Sequence, residues 1–215
     1  MAQSDRRMVV IGAGGHAKVV IELAVALGYK VVGCTDVDAT PRHIVDVPVL
    51  GDDGVLQALF AQGVTFAAVG LGENALRLRI GRKLQTMGFV TPLLVSPAAY
   101  VSTSARLGAG TIIMPGAVIN ADTRVGDFAI VNTLAGVDHD GIVGDGAHIG
   151  PGSALSGSVN VGDCALIGVG ATVLPGVRVA HHATLGGGAV AVRNVEAGAT
   201  FVGSPAAPLK QKEEN

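Results

Sequence analysis

The chain has no tryptophan and only 3% aromatic residues, so no large aromatic core holds it together. Its interior must be narrow and filled with aliphatic side chains. Charged residues are also scarce, at 15%, and the formal net charge is −2, which leaves no basic field to draw in nucleic acid. The only two cysteines, Cys34 and Cys164, lie far apart without metal or redox spacing. Apolar burial in a reducing compartment is the reading for both. No Cys/His cluster supports zinc, so no metal is expected. No apolar run reaches the roughly 18 residues that suggest a membrane span. The start MAQSDRR leads into an apolar stretch broken by glycines, which is not a signal-peptide core. These absences point to a cytoplasmic protein without nucleic-acid or membrane partners.

Glycine, by contrast, is abundant, with 32 in 215 residues. The first cluster stands in MVVIGAGGHAKVV, Met8 to Val20. A strand, a Gly-rich turn and a helix follow one another there, in the spacing of a dinucleotide-binding fingerprint, and Asp36 lies where an acidic residue would meet a ribose. A helix over His16–Gly28 would carry Val19, Val20, Leu23 and Leu27 on one face. KVVGCTD and TFAAVG read as strands, DDGVLQALFAQG as a short helix capped by Asp52 or Asp53, and ENALRLRIGRKLQTMG as a longer helix. TPLLVSP closes the series as a strand. Strand–helix alternation predicts a small parallel sheet with helices on both faces over residues 1–95. It is half of a dinucleotide-binding domain, because the second mononucleotide half is missing.

From Val101 the period becomes six. Every sixth residue from Val101 to Leu185 is Val, Leu or Ile, at all 15 positions. A mostly small residue follows four places later, often with glycine after the aliphatic one. A strict hexad without helical period is the signature of a parallel β-helix. Three hexads close one triangular coil, so five coils are expected over residues 96–200, followed by a tail at 201–215 whose end, KQKEEN, is expected to be disordered. The fold class is thus α/β plus all-β.

The hexads, together with GAGGHA, VNTLAGVDHDGIVGDGAHIGPG, GVGATVLPG, LGGGAVAVRNV and FVGSPA, resemble the bacterial sugar-nucleotide acetyltransferases of the hexapeptide-repeat family. That family includes UDP-4-amino-sugar N-acetyltransferases, GDP-perosamine N-acetyltransferases and sialic-acid O-acetyltransferases. The resemblance covers residues 8–208 and leans toward the GDP-perosamine members. It implies a left-handed helix, acetyl-CoA as co-substrate, and a homotrimer whose active sites lie between subunits. It implies a role in building surface polysaccharide such as lipopolysaccharide O-antigen.

The resemblance also distributes roles. His139 in VDHDG is the general base and Asp140 its partner, in a place where the family more often carries Glu. Gly157 offers a backbone N–H to the thioester carbonyl. Asn132 contacts the amino sugar. His148, Val169 and Gly187 meet acetyl-CoA. Gly14, Gly15 and His16 face the nucleotide-sugar pyrophosphate, with Asp36 and Val37 at the nucleoside and Gly70 near the same crevice. An imidazole, with pKa near 6.5, suits proton transfer at neutral pH, and a carboxylate on its far nitrogen fixes the tautomer. Without the resemblance, DHD reads as a polar turn, Asn132 as a stacked corner asparagine and His148 as a solvated or stacked histidine. His181-His182 read as surface residues pointing to opposite sides of a strand, and His43 as a lone loop histidine. An O-acetyltransferase acting on a sialic-acid-like sugar uses the same parts. An NAD-dependent oxidoreductase and a non-catalytic sugar-nucleotide-binding trimer are the more distant alternatives.

Overall fold

The computed structural model describes residues 6–209 and comprises two compact units, one ending at Val95 and one starting at Ser96. The tail KQKEEN lies outside the described residues. Among the described residues, no helix is long and apolar enough to cross a membrane.

In the first unit, β1 (Arg7–Ile11), β2 (Lys30–Thr35) and β5 (Phe66–Val69) form a three-stranded parallel sheet in the order β2-β1-β5. The helices are α1 (Gly15–Ala26), α2 (Leu56–Ala61) and α3 (Asn74–Thr86). Met8, Val9 and Val10 are wholly buried, as a central parallel strand requires. Helix α1 buries Ala17, Val20, Ile21, Leu23 and Ala24. Val19, expected on that face, is exposed, and the buried stripe runs instead through the small Ala17 and Ala24. Asp52 caps a 3-10 turn at Asp53–Val55 ahead of α2, its carboxylate accepting the N–H of Gly54 at 2.8 Å. Glu73 caps α3 by accepting from Ala75 and Leu76.

Two expectations for this unit change. The segment TPLLVSP contributes only a two-residue strand, Leu94–Val95, which lies outside the three-stranded sheet. His43 is not in a loop. It opens β3 (His43–Ile44), which pairs antiparallel with β4 (Val47–Pro48) across a turn whose Val45 and Asp46 both have positive φ.

The second unit is a parallel β-helix of two-residue strands. One face runs from Tyr100–Val101 through Val118–Ile119, Gly136–Val137, Ala154–Leu155 and Thr172–Val173 to Val190–Ala191. A second begins at Arg106–Leu107 and ends at Arg178–Val179. A third includes Ile112–Ile113, Ile130–Val131, His148–Ile149, Leu166–Ile167 and Thr184–Leu185. Partners are 18 residues apart, as in Ile130↔His148, so every coil completes the backbone hydrogen bonds of the next. The hexad residues point inward: Ile113, Ile119, Val131, Ile149, Val161, Ile167, Val173, Val179 and Leu185 are all fully buried.

The winding continues into a sixth rung beyond the five coils expected. Its inward residues are Ala191, Val195 and Phe201, and Val195 still bridges to Val179. Counting Val, Leu or Ile by six stops at Leu185 because the next inward residue is Ala191, and the step after it, to Val195, is short. Part of the stretch expected to be tail is ordered too, since Thr200–Val202 pairs antiparallel with Ala207–Pro208.

The corners explain the glycine. From the second corner on, the third residue of each four-residue corner has positive φ, at Gly110, Gly116, Asp122, Phe128, Leu134, Asp140, Gly146 and onward by sixes to Gly188. Glycine takes that conformation at least cost, and Asp tolerates it. Small polar residues inside the corners are satisfied locally: Thr111 donates to Gly126 O at 2.6 Å and Thr123 to Asp138 O at 2.8 Å. Cys34 is fully buried, whereas Cys164 is only half-buried, at one of the positive-φ corner positions. His181 and His182 form a corner rather than a strand, with rings edge-on at 5.8 Å.

Candidate functional site

His139 is the second residue of the corner Asp138–Gly141, between the strands Gly136–Val137 and Ile142–Val143. Its ring is well exposed and held by one neighbour. Nδ1 lies 2.8 Å from Asp140 Oδ2. An ionised carboxylate only accepts, so Nδ1 carries the proton and Nε2 keeps its lone pair. The short Asp reaches the ring from a left-handed backbone, φ +57.

A second carboxylate sets the base of the loop. Asp138 Oδ1 accepts the His139 backbone N–H at 2.8 Å and the Asn120 Nδ2–H at 2.8 Å. These bonds hold the Asp138 carboxyl below its usual range, the His139 N–H contributing most. The Asp140 hydrogen bond, and then the Asp138 charge, raise the His139 pKa above the ordinary 6.5. Asn120 was not among the residues singled out from sequence. Its position one coil before Asp138 is a signal that the 18-residue spacing carries.

One coil further along, Gly157 lies under the imidazole. A Cβ placed there would stand 2.6 Å from His139 Cε1 and 2.7 Å from Nε2. The Gly157 N–H donates to nothing among the described residues, while the preceding coil uses Asp138 to cap the matching N–H of His139. A bare N–H donor therefore stands beside a ring nitrogen with a free lone pair. The corner thus brings together an imidazole, a carboxylate bonded to it and a main-chain N–H without a partner among the described residues.

The other expected solenoid residues stand elsewhere. Asn132 Nδ2 is 3.0 Å from His148 Nε2, so the two residues, read separately from sequence, form one pair. They belong to the third face and the corner that follows it, with Val169 and Gly187 on that same corner in later coils. Val169 is exposed, and a Cβ on Gly187 would meet only its backbone, at 3.4 Å. His139 stands at the corner between the first and second faces. Within one chain the two sets are on different edges of the triangular helix.

In the first unit a cleft of about 620 Å³ opens at the carboxyl ends of β1 and β2. Its lining includes Gly12, Ala13, Gly14, Asp36 and Val37. Gly14 is the N-cap of α1 and makes no side-chain cap, so the first N–H groups of a 12-residue helix are left for an anion. A Cβ on Gly14 or Gly15 would meet nothing within 4 Å, so the space over the turn is open. Val37 is almost fully exposed. Gly70 is different: a Cβ there would lie 2.7 Å from Ala17 Cα, so this glycine lets α1 approach the end of β5 and does not itself line the cleft. Burial, and then the Arg77 charge, lower the His16 pKa to about 4. At neutral pH His16 is therefore uncharged; its side chain is half-buried and does not line the cleft. Among the described residues no group of side chains forms a metal site.

Comparison with known proteins gives these features a family. Residues 7–84 match the PglD N-terminal domain. PerB from Caulobacter crescentus, solved in complex with CoA and GDP-perosamine, is 45% identical, with a TM-score of 0.91 over 94% of this chain and 97% of that one. The acetyltransferase domain of PglB from Neisseria gonorrhoeae, solved with acetyl coenzyme A, is 40% identical, with a TM-score of 0.89 over 96% of this chain and 100% of that one. WeeI from Acinetobacter baumannii, at 23% identity and TM-score 0.85, shares the fold. No match is found among curated proteins. The chain therefore belongs to the hexapeptide-repeat sugar-nucleotide N-acetyltransferases, the family of the Caulobacter GDP-perosamine enzyme.

Proposed function

We propose that this protein transfers the acetyl group of acetyl-CoA to the 4-amino group of a nucleotide-linked amino sugar, with GDP-perosamine the leading substrate. The observation that carries the reading is the His139–Asp140 pair beside the bare Gly157 N–H. His139 Nε2 takes the proton lost as the amine nitrogen bonds to the thioester carbonyl carbon. The Gly157 N–H stabilises the negative charge that gathers on the carbonyl oxygen. As the C–S bond breaks, His139 returns the proton to the departing sulfur, leaving an amide and a free thiol. The α/β cleft supplies the nucleotide site, with the diphosphate over Gly14 and Gly15 and His16 donating to it.

A second copy of the chain completes the site in this reading. His139 and the set Asn132, His148, Val169 and Gly187 occupy separate edges of one helix, so one active site takes the base from one subunit and the acetyl-CoA contacts from the next. The first face supports a trimer: its outward residues Tyr100, Val118, Gly136, Ala154, Thr172 and Val190 carry no charge. Light scattering at assay concentration is expected to give three chains per particle, and a monomer would count against it.

The test of the reaction is release of free thiol from acetyl-CoA in the presence of GDP- and UDP-linked amino sugars. Turnover with at least one amino sugar is required. Turnover only with hydroxyl acceptors of the sialic-acid type would replace the reading with O-acetylation.

Two further outcomes follow from the geometry. Because Asp140 raises the His139 pKa, wild-type activity should fall on the acid side with an apparent pKa above 6.5. Asp140→Asn removes the largest cause of that rise, so the acid limb moves to lower pH. It also frees the ring orientation, and kcat drops by about 10–100-fold. A pH–rate profile of both proteins checks the pair of effects. Gly14→Ala, at an extended φ of −84, adds a methyl to empty space over the turn. It should raise KM for the sugar nucleotide by about tenfold, ~1.4 kcal/mol, while KM for acetyl-CoA and the melting temperature stay near wild type.

A further inference from the structure

The cleft of the α/β unit is lined by three kinds of group. Gly12, Ala13 and Gly14 follow the central strand β1, with the open helix terminus. Asp36, Asp52 and Asp53 gather at the end of β2, on one side of β1, and the half-buried Leu71, Leu76 and Ile80 follow β5, on the other. No Lys or Arg lines it. A diphosphate is drawn to the helix terminus and repelled by the carboxylates. A nucleoside that leaves the diphosphate on the β2 side therefore brings its base to the acids.

The three acids are not equivalent. Asp36 has both oxygens committed: Oδ2 is 3.0 Å from Arg42, and Oδ1 accepts the Asp38 N–H at 3.0 Å. Asp52 is exposed to water and its Oδ1 caps Gly54. Asp53 is half-buried, and its Oδ1 accepts the hydroxyl of the fully buried Thr35 at 2.7 Å. Its Oδ2 takes no hydrogen bond among the described residues. Thr35 is the last residue of β2, and the chain around Asp53 is tied to the same strand end by Asp36 N–H to Gly51 O at 3.0 Å and Leu50 N–H to Cys34 O at 2.8 Å. Asp53 is thus a carboxylate fixed in place by the sheet, with open acceptor capacity in the cleft.

We propose that Asp53, oriented by Thr35, reads the base of the sugar nucleotide and selects guanine over uracil and adenine. The proposal rests on the functional reading above for the cleft's occupant and adds the residue and the base. Guanine presents two adjacent donors, N1–H and N2–H, to one carboxylate. Uracil presents one N–H flanked by two carbonyl oxygens, which face the carboxylate with like partial charge. Adenine places an acceptor nitrogen beside its amino group. A fixed acceptor-only group accommodates guanine alone without an unpaired or repelled atom.

The test is calorimetric titration of the whole protein with GDP, IDP, UDP and ADP, in wild type and Asp53→Asn. Wild type should bind GDP at least tenfold more tightly than UDP or ADP. IDP, which lacks the 2-amino group, should fall about tenfold below GDP. Asp53→Asn keeps an oxygen for the Thr35 hydroxyl but sets an amide in the cleft, so GDP affinity should drop by 10–100-fold while UDP affinity holds or improves. Equal affinity for GDP and UDP in wild type overturns this assignment and leaves the acetyltransferase reading standing. So does a uniform loss for all nucleotides in Asp53→Asn. Failure of every nucleotide to bind overturns the assignment together with the cleft's role as the nucleotide site.

Discussion

His139→Asn should lower kcat by about 10²–10⁴-fold, with KM for both substrates close to wild type. The reason lies in what the corner keeps when the imidazole is removed. Asn is of similar size near the backbone, and the loop is held by the His139 main-chain N–H to Asp138 Oδ1, a bond that Asn at this position also makes. Asp138 also keeps its bond from Asn120. The ring is exposed and supports no core, so the melting temperature should not move. Only the lone pair of Nε2 disappears. An amine nucleophile must lose a proton on forming the amide, and without a base that step depends on water. The crystallised Caulobacter variants in which one histidine became alanine or asparagine still hold CoA and GDP-perosamine, so in that enzyme both ligands bind without that side chain. Steady-state kinetics decide the matter here. A variant with unchanged kcat would remove His139 from the chemistry, and a raised KM at constant kcat would make it a binding residue.

Much of this protein is legible by counting. Fifteen aliphatic residues at a spacing of six admit only a flat-sided solenoid, and the inward residues from Ile113 to Leu185 lie where the count puts them. The count fails where the protein stops counting: the short step from Ala191 to Val195 hid the sixth rung. In the first unit the strands β1, β2 and β5 follow from their apolar runs, but Val19 shows the weakness of a face drawn from large side chains alone, because the buried stripe also runs through Ala17 and Ala24. The hairpin at His43–Pro48 was invisible, since its turn uses Val45 and Asp46 at positive φ where glycine or asparagine is the usual sign.

The site divides in the same way. His139 and Asp140 are adjacent in sequence, so their contact is local and readable. The bonds that give Asp138, Asn120 and Gly157 their parts run between coils, 18 residues apart, and are readable only once the coil length is known. Asn132 and His148, 16 residues apart, meet because one coil sets Asn132 beside the next coil's strand. The Thr35–Asp53 bond spans 18 residues with no repeat to count, and no local pattern announces it.

Gly157→Ala carries the second large effect, about 10²-fold in kcat from the addition of one methyl group. The added Cβ would lie 2.6 Å from His139 Cε1 and 2.7 Å from Nε2, closer than carbon atoms pack. Something must yield, and the candidates are unequal. The Gly157 backbone is fixed on both sides, with Ser158 N–H on His139 O at 2.9 Å and Gly176 N–H on Gly157 O at 3.0 Å. The imidazole is the far end of an exposed side chain, held by the bond to Asp140. The ring therefore swings away, at little cost to folding, and takes Nε2 off the line to the nucleophile. The same movement loosens the Asp140 contact, so the His139 pKa should relax toward 6.5 and the acid limb of the pH–rate profile should shift down as it does in Asp140→Asn. Melting temperature, kcat and the pH profile measured together separate this from a general loss of structure. If Gly157→Ala unfolds the protein, the glycine serves the coil stacking. If it leaves kcat intact, the ring over Gly157 is not the catalytic position. A folded variant with a low kcat and a shifted acid limb places the working geometry where it stands here: an imidazole resting on a bare glycine, one nitrogen held by Asp140 and the other turned to the substrate.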